Sequence, residues 1–302
     1  MKKIILLFLL FCNLSTVLSQ ENYKKCITTQ LVKNESIKNP SYLDIRNNDR
    51  DINNEKSDNS TIFIPIVVHV VYRSSHANIG VGTNISNEQI EDQLRILNED
   101  YSKMNPEFFN PPRNTFSNYW GNPNIQFCLA TTDPNGNPTS GITRTETTQI
   151  NWDADDDSNQ PCHEANGMKK TACGGKDGWD PSKYLNIWVC DLTNSQGNGM
   201  TLGYAYLPGL LADFVSTNDY KDGLVVDYRY FGTVGIAAPS SDGRTPTHEI
   251  GHYLGLLHTF CENTNGLCCD NDNIFFGGFI DDTPACKDIY FGSVNTGTNN
   301  NT

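Results

Sequence analysis

The amino-acid sequence predicts a mixed α/β (α+β) domain, in which a twisted mixed sheet carries one backing helix and one shorter helix. Two observations support this prediction. Apolar, β-branched segments recur between positions 62 and 230, and one strongly amphipathic helical segment lies between the first two of them. Strand and helix patterns in this order are typical of layered α/β folds.

The first predicted strand is Ile62 to Arg73, a nearly continuous apolar run of the kind found in strands covered on both faces. Asn124 to Ala130 alternates apolar and polar residues, which indicates a half-buried strand. Tyr184 to Leu192 and Leu224 to Tyr230 are two further predicted strands. Leu202 to Pro208 is short and ends in proline, so we expect it at the edge of the sheet.

The backing helix is predicted from Ser86 to Lys103. Ser86 and Gln89 have the spacing of a capping box, and Ile85 and Ile90 that of a hydrophobic staple. Residues three or four apart share one face of a helix, so an apolar stripe should pack this helix on the sheet. The stripe consists of Ile90, Leu94, Leu97 and Tyr101.

The run HEIGHYLGLLH contains His248, Glu249, His252, Gly255 and His258. On a helix, residues four apart are neighbours, so the first two histidines can bind one metal ion. A continuous helix would place His258 about 15 Å from His248, too far for zinc to nitrogen bonds of about 2.0 to 2.1 Å. The helix should therefore end after His252, with a turn at Gly255.

The start of this helix is also marked in the sequence. Thr245 is a candidate N-cap, and Pro246 suits the first helical position, because its fixed φ fits there and no amide is lost. Three other histidines, His69, His76 and His163, have no partner at ligand spacing. We expect them in core or surface positions.

Three histidine ligands leave one zinc position open, the arrangement of a catalytic site. Glu249 could take a proton from zinc-bound water as that water attacks a carbonyl, and could pass the proton to the leaving amine. This chemistry predicts a zinc endopeptidase. Two alternatives remain: an inactive zinc-containing binding or adhesion protein, and a zinc amidase or esterase with another acyl substrate.

The complete HExxHxxGxxH run resembles the signature of the metzincin metallopeptidases. GRTPTHEIGHYLGLLHTF, DDTPAC, IPIVVHVVY, YLNIWVCDL and GYAYLP resemble the pappalysin family more specifically, from about Thr61 to Cys286. The resemblance implies zinc in a cleft, with Glu249 as the catalytic base and His248, His252 and His258 as ligands. It also implies that the edge strand lines the cleft and pairs with an extended substrate. Its residues are Gly203, Tyr204, Ala205 and Tyr206.

One feature departs from the metzincin pattern. Metzincins place a methionine-containing turn beneath the zinc, after the third histidine, whereas this chain has no methionine after Met200 and ends in NTGTNNNT. We therefore expect the catalytic domain, from position 61 to 302, to be incomplete at its C-terminus. An inactive fragment and a genuine variant without this turn are the alternatives.

The N-terminus has the features of a secretory signal peptide, from 1 to 19. Two lysines precede the apolar run Ile4 to Phe11, and small residues follow it. Phe11 is bulky where a lipoprotein signal at Cys12 would require a small residue. A net charge of −13 disfavours nucleic acid and anionic membranes as partners. We expect a secreted protein without membrane insertion that acts on protein or peptide substrates.

Ten cysteines in a chain with a signal peptide predict disulfides, and removing Cys12 leaves an odd number. We expect Cys26 to be the free one. It lies in the poorly hydrophobic segment from 20 to 60, which resembles a pro-segment of the family. Its thiolate could fill the open zinc position and keep the precursor latent. A disulfide from Cys26 is the alternative.

Acidic residues follow the third histidine and offer the oxygen ligands that calcium prefers. Relatives in the family bind calcium near this point, so the resemblance implies a calcium site at Asp281, Asp282 and Thr283. The cluster WDADDD at 152–157 lacks the spacing of a calcium-binding loop and predicts a solvated loop.

Overall fold

A computed structural model describes residues 22–24, 26–38, 60–110, 121–154, 162, 165–206, 219–256 and 258. The strands are β1 (Asn22–Lys24), β2 (Ile62–Arg73), β3 (Ile125–Leu129), β4 (Ile142–Thr147), β5 (Leu185–Cys190), β6 (Gly199–Thr201), β7 (Gly203–Tyr206) and β8 (Gly223–Asp227). The α-helices are α1 (Thr28–Lys38), α2 (Asn87–Tyr101), α3 (Pro106–Phe109) and α4 (Arg244–Tyr253). None of the helices in these described ranges is long and apolar enough to cross a membrane.

The main sheet has the order β3, β2, β5, β8, β7, and β4 also pairs with β2. Its pairs are parallel except that of β7 with β8, which is antiparallel. The predicted mixed sheet, its predicted strands and the edge position of β7 are therefore confirmed. The strand β4 was not predicted, because its sequence ITRTET has no alternating apolar pattern.

Both faces of the sheet are covered. On one face, Ile66, Val68 and Ile187 pack with Ile90 and Leu97 of α2, all of them buried. Burying one such side chain contributes roughly 1.5 to 3 kcal/mol to folding. The predicted apolar stripe of α2 is confirmed, since Leu94 and Tyr101 also pack against this core.

The opposite face of the sheet carries an aromatic core. Trp188, Tyr204 and Tyr206 are buried there together with Trp152 and Met168. Because Tyr204 and Tyr206 belong to β7, their burial in this core holds the edge strand against this face of the domain.

The start of α2 confirms half of the predicted capping box. Ser86 is the N-cap, and its hydroxyl accepts a hydrogen bond from the Gln89 amide at 3.2 Å. The Gln89 side chain does not return to Ser86. It donates instead to the carbonyls of Tyr228 and Phe231, at 3.0 and 2.8 Å. These tertiary hydrogen bonds replace the bond from the Gln89 side chain to Ser86 that a complete capping box would contain.

Residues 22–24 and 26–38, which precede the main sheet, contain a strand and a helix that were not predicted. Strand β1 pairs in parallel with β6, and α1 packs on β7. The helix buries Leu31 and Val32. Its few apolar residues explain why the helical pattern is weak in the sequence.

The cysteines differ from the expectation. Cys162 and Cys173 form a disulfide with a sulfur to sulfur distance of 2.07 Å. Within the described residues Cys128 and Cys190 are free as well as Cys26, so the prediction of one free cysteine is wrong. The free thiol of Cys190 lies fully buried in strand β5, inside the apolar core.

The histidines outside the motif behave as expected where they are described. His69 is fully buried in β2, and its ring contacts the Thr143 hydroxyl at 2.8 Å and the Asn186 side-chain oxygen at 3.0 Å. His76 contacts the Thr83 hydroxyl at 3.0 Å. His163 lies outside the described residues.

Candidate functional site

Helix α4 and the turn after it place the three histidines of the motif. The helix begins after Gly243, whose φ of 75° is left-handed, and the Asp242 carboxylate accepts a hydrogen bond from the Arg244 amide at 3.0 Å. The predicted N-cap at Thr245 is therefore wrong: Thr245 lies inside the first turn, because the chain enters the helix through the glycine. The predicted end of the helix is correct. Gly255 has a φ of 92°, and its amide donates to the His252 carbonyl at 2.9 Å.

The turn at Gly255 brings His258 back to the helix. The Nε2 atoms of His248, His252 and His258 lie 3.0 Å from one another in all three pairs. Three ligands at about 2.0 to 2.1 Å from a tetrahedral zinc ion are about 3.3 Å apart, so this triangle fits zinc closely. The chemistry fits too, since imidazole nitrogen is a preferred ligand of zinc.

A contact outside the triangle orients one of the ligands. His252 Nδ1 lies 2.8 Å from the carbonyl oxygen of Leu256, in the turn that Gly255 makes possible. When this nitrogen carries the proton, Nε2 is left as the free ligand atom. The glycine turn therefore brings His258 to the triangle and orients His252 as a candidate ligand.

Cys26 faces the three histidines. Its sulfur and the three ring nitrogens all lie within 4.8 Å of one another. The sulfur also lies 3.5 Å from Glu249 Oε2. Burial and the neighbouring Glu249 carboxylate raise the pKa of the Cys26 thiol well above its ordinary value. The residue predicted to act as a latency switch thus lies at the fourth corner of the candidate metal centre.

Glu249 is fully buried beside this centre. Its Oε2 accepts a hydrogen bond from the Thr28 hydroxyl at 3.0 Å, while its Oε1 has no partner among the described residues. Burial raises the pKa of Glu249 to about 8. A buried carboxyl group beside a candidate metal centre is suited to exchanging a proton with a small molecule in the site.

The edge strand β7 lies directly against Glu249. A Cβ at Gly203 would stand 3.0 Å from both Glu249 Cγ and Thr245 Cγ2, so the absence of a side chain allows this close approach. At the free edge, the Ala205 amide donates to the Thr28 hydroxyl at 2.8 Å. Tyr204 and Tyr206 are buried below the strand.

Two cavities flank His248. One of about 600 Å³ is lined by Tyr101, Thr247 and Leu256, and one of about 410 Å³ by Leu202 and Tyr230. Each cavity has room for a side chain of a peptide bound across the site.

Sequence reasoning missed Thr28, Thr29 and helix α1. Thr29 Oγ1 lies 3.5 Å from His258 Nδ1, so the consecutive threonines contact Glu249 and a candidate ligand. A weak signal was present, since Leu31 and Val32 follow Thr28 at helical spacing. The predicted calcium residues Asp281, Asp282 and Thr283 lie outside the described residues.

Comparisons with known proteins agree with this geometry. The model of a peptidase M43 family, described as pregnancy-associated plasma protein-A, matches residues 170–302. A Tannerella forsythia promirolysin mutant is 34% identical, with a TM-score of 0.67, over 83% of this chain and 74% of that chain. Mature mirolysin of the same organism, in complex with a cleaved peptide, is 40% identical, with a TM-score of 0.59, over 72% of this chain and 71% of that one.

The chain belongs to the pappalysin family of metzincin metallopeptidases. The mixed sheet and helices of this pappalysin match the metzincin-like fold of mirolysin. An extracellular metalloprotease of Pyricularia oryzae is 29% identical over 75% of the chain, and the matched region spans 58% of that relative. The chain therefore spans little more than half the length of this curated relative. The family implies a catalytic metal, usually zinc, which the histidine triangle fits.

Proposed function

We propose that this chain is a secreted zinc endopeptidase that hydrolyses peptide bonds and is made as a latent precursor. The observation that carries the proposal is the triangle of three histidine Nε2 atoms, each 3.0 Å from the others, beside the buried Glu249. Secretion is supported by the signal-peptide pattern at 1–19 and by relatives named as extracellular.

His248, His252 and His258 would hold the zinc ion. Bound there, zinc supplies Lewis acidity, which polarises a peptide carbonyl and acidifies water. The protein has to hold the ligands in this geometry and to manage the proton.

In this proposal Glu249 first accepts a proton and then donates it. Its Oε2, which Cys26 and Thr28 contact in the precursor, would accept a proton from the attacking water as the new carbon to oxygen bond forms. The same carboxyl group then donates that proton to the amide nitrogen as the carbon to nitrogen bond breaks. An inactive zinc-binding protein would have no use for a buried carboxyl group in this position.

The free edge of β7 would align the substrate. An extended peptide can add to an edge strand through main-chain hydrogen bonds, and the outward amide of Ala205 is a donor for it. An antiparallel peptide would run toward Gly203, and hence toward Glu249, in its N- to C-terminal direction. The reacting bond would then reach the carboxylate that adjoins Gly203.

Latency would result from three contacts of the segment before position 61. Cys26 occupies the corner next to the histidines, Thr28 holds both Glu249 and the Ala205 amide, and α1 covers β7. Strand β1 pairs in parallel with β6, and Thr28 further along the segment reaches Ala205 of β7, so the segment runs in the same direction as these two strands. It therefore blocks the cleft in the orientation opposite to that proposed for a substrate.

The domain division proposed here is a signal peptide at 1–19, a pro-segment at 20–60 and a catalytic domain from 61 onward. A calcium site at Asp281, Asp282 and Thr283 remains a prediction. An unchanged melting temperature after selective removal of calcium would contradict it.

Proteolysis of casein by the secreted, activated protein tests the proposed function. We expect activity that a zinc chelator abolishes and added zinc restores. Glu249→Ala should lower the rate by roughly 10² to 10⁴ fold while zinc remains bound. Glu91→Ala, at an exposed position on α2, is the matched control. Full activity of Glu249→Ala would refute the proposed mechanism.

A further inference from the structure

An ion pair links α1 to the far end of the cleft. Lys221 Nζ lies 2.6 Å from Glu35 Oε1, and the two side chains are only 9% and 8% exposed. Glu35 shares the buried face of α1 with Thr28, Leu31 and Val32. This face is therefore apolar between two polar contacts, one at Glu249 and one at Lys221.

The register of β7 with β8 locates Lys221 along the cleft. Gly203, at one end of β7, adjoins Glu249, while Tyr206, at the other end, pairs with Gly223. Lys221 precedes Gly223 in the turn that leads into β8. It therefore lies beyond the end of β7 that is remote from the catalytic base.

Helix α1 gives the distance between Glu249 and Lys221 along the cleft. It contacts the base through Thr28 and Lys221 through Glu35. A helix rises about 1.5 Å per residue, so these two contacts are about 10 Å apart along the cleft. An extended strand covers about 10 Å in three residues.

The backbone at Lys221 is held independently of α1. Its carbonyl accepts a hydrogen bond at 2.6 Å from Nζ of Lys169, which is fully buried. The Lys169 ammonium lies 4.8 Å from the Trp188 ring centroid and 5.0 Å from that of Tyr206. The neighbouring Asp222 carboxylate accepts from the Tyr253 hydroxyl at 3.1 Å. Removing the pro-segment would thus leave Lys221 in place and take away the carboxylate of Glu35.

We propose that Lys221 recognises an acidic side chain of the substrate, three or four residues before the bond that is cut. The inference rests on the proposed function, because it takes the position and direction of the substrate from the edge strand. An antiparallel peptide passes Lys221 before it reaches Glu249, so the contact falls on its N-terminal side. Glu35 occupies the place of that substrate carboxylate in the precursor.

A peptide series tests the inference on the activated, zinc-loaded protein. In each pair of peptides Glu replaces Gln at one position, from the second to the fifth residue before the cleaved bond. The quantity compared is the ratio of kcat/KM for the Glu peptide to that for the Gln peptide. We expect a ratio of roughly three to ten at the third or fourth position, the range of a partly exposed ion pair.

Variants assign this preference to Lys221. Lys221→Gln should bring the ratio to about one, and Lys221→Glu should invert it by like-charge repulsion. Lys183→Gln is the matched control, because the Lys183 side chain is 70% exposed and, among the described residues, forms an ion pair with Asp180 three positions earlier. A ratio that is the same in the wild type and in Lys221→Gln would overturn the inference.

Binding separates this inference from the proposed function. The same peptide pairs are titrated into zinc-loaded Glu249→Ala protein, and the ratio of Kd values is measured by fluorescence anisotropy. Absence of cleavage of every peptide would refute the proposed function, and the Kd ratio would still decide the role of Lys221. Equal Kd values for the Glu and Gln peptides would overturn it.

Discussion

The Thr28 hydroxyl lies 3.0 Å from a carboxylate oxygen of Glu249, and the same hydroxyl accepts the Ala205 amide at 2.8 Å. One side chain of the N-terminal segment thus forms hydrogen bonds both with the proposed base and with the strand edge at which a substrate would pair. It lies close to Cys26, and in the proposed precursor it would keep a substrate out of the cleft without bonding to a metal.

Thr28→Val should weaken the binding of the N-terminal segment to the cleft. The substitution leaves the Ala205 amide unpaired and removes a hydrogen bond to a carboxylate, a loss of about 1.5 to 3 kcal/mol. A peptide spanning residues 22–38 should therefore inhibit the activated protein at least roughly tenfold less well when it carries the change. Inhibition constants measure this. Equal inhibition by both peptides would contradict the prediction, and a Gln30→Ala peptide, altered on the exposed face of α1, is the control.

Cys26→Ser should remove a sulfur ligand from the metal centre of the precursor. With cobalt in place of zinc, the thiolate to cobalt charge-transfer band should be present in the wild-type precursor and absent from the variant. The variant should also show higher activity before any cleavage. Cys128→Ser, which changes an exposed thiol on β3, should keep the band. Persistence of the band in Cys26→Ser would exclude this sulfur as a ligand.

Gly203→Ala should lower activity through a shift of Glu249. The added methyl group would stand 3.0 Å from Glu249 Cγ, so the strand or the base has to move by a few tenths of an ångström. Small misplacements of catalytic groups cost up to about 10²-fold in rate, and we expect a kcat reduced by roughly tenfold. Glu91→Ala, at an exposed position on α2, is again the control. Unchanged kcat for Gly203→Ala would show that this contact is not needed.

His69 should make the stability of the domain sensitive to acid. Burial lowers the pKa of His69 to about 4 from an ordinary 6.5. Between these pH values the unfolded chain binds a proton that the folded chain does not, so stability falls as the pH falls through this window. At 1.36 kcal/mol per unit the loss reaches about 3 kcal/mol at most.

Denaturant unfolding of the metal-free protein at about pH 7 and at about pH 4.5 measures this loss, and His69→Gln isolates the contribution of the imidazole. The variant is expected to be less stable at the higher pH, since it disturbs the contacts with Thr143 and Asn186. Its stability should nevertheless change less between the two pH values. A pH dependence identical to that of the wild type would rule out His69 as the group responsible.

Much of the scaffold could be predicted because its signals are local. The apolar run of β2 and the stripe of α2 depend on residues a few positions apart. The prediction failed where distant contacts replaced local ones. Gln89 has the spacing of a capping residue, yet its amide bonds to Tyr228 and Phe231, which the sheet brings close. Helix α4 begins after Gly243, whose backbone is left-handed, and not after the predicted N-cap Thr245.

The sequence by itself determined the histidine triangle and the position of Glu249 beside it, since helical spacing and one glycine turn suffice to bring His248, His252 and His258 together. Only the tertiary structure decided what faces them. Thr28 reaches Glu249, and Glu35 reaches Lys221, because α1 packs on β7. A short helix with few apolar residues gains its stability from such packing and leaves little trace in its own sequence.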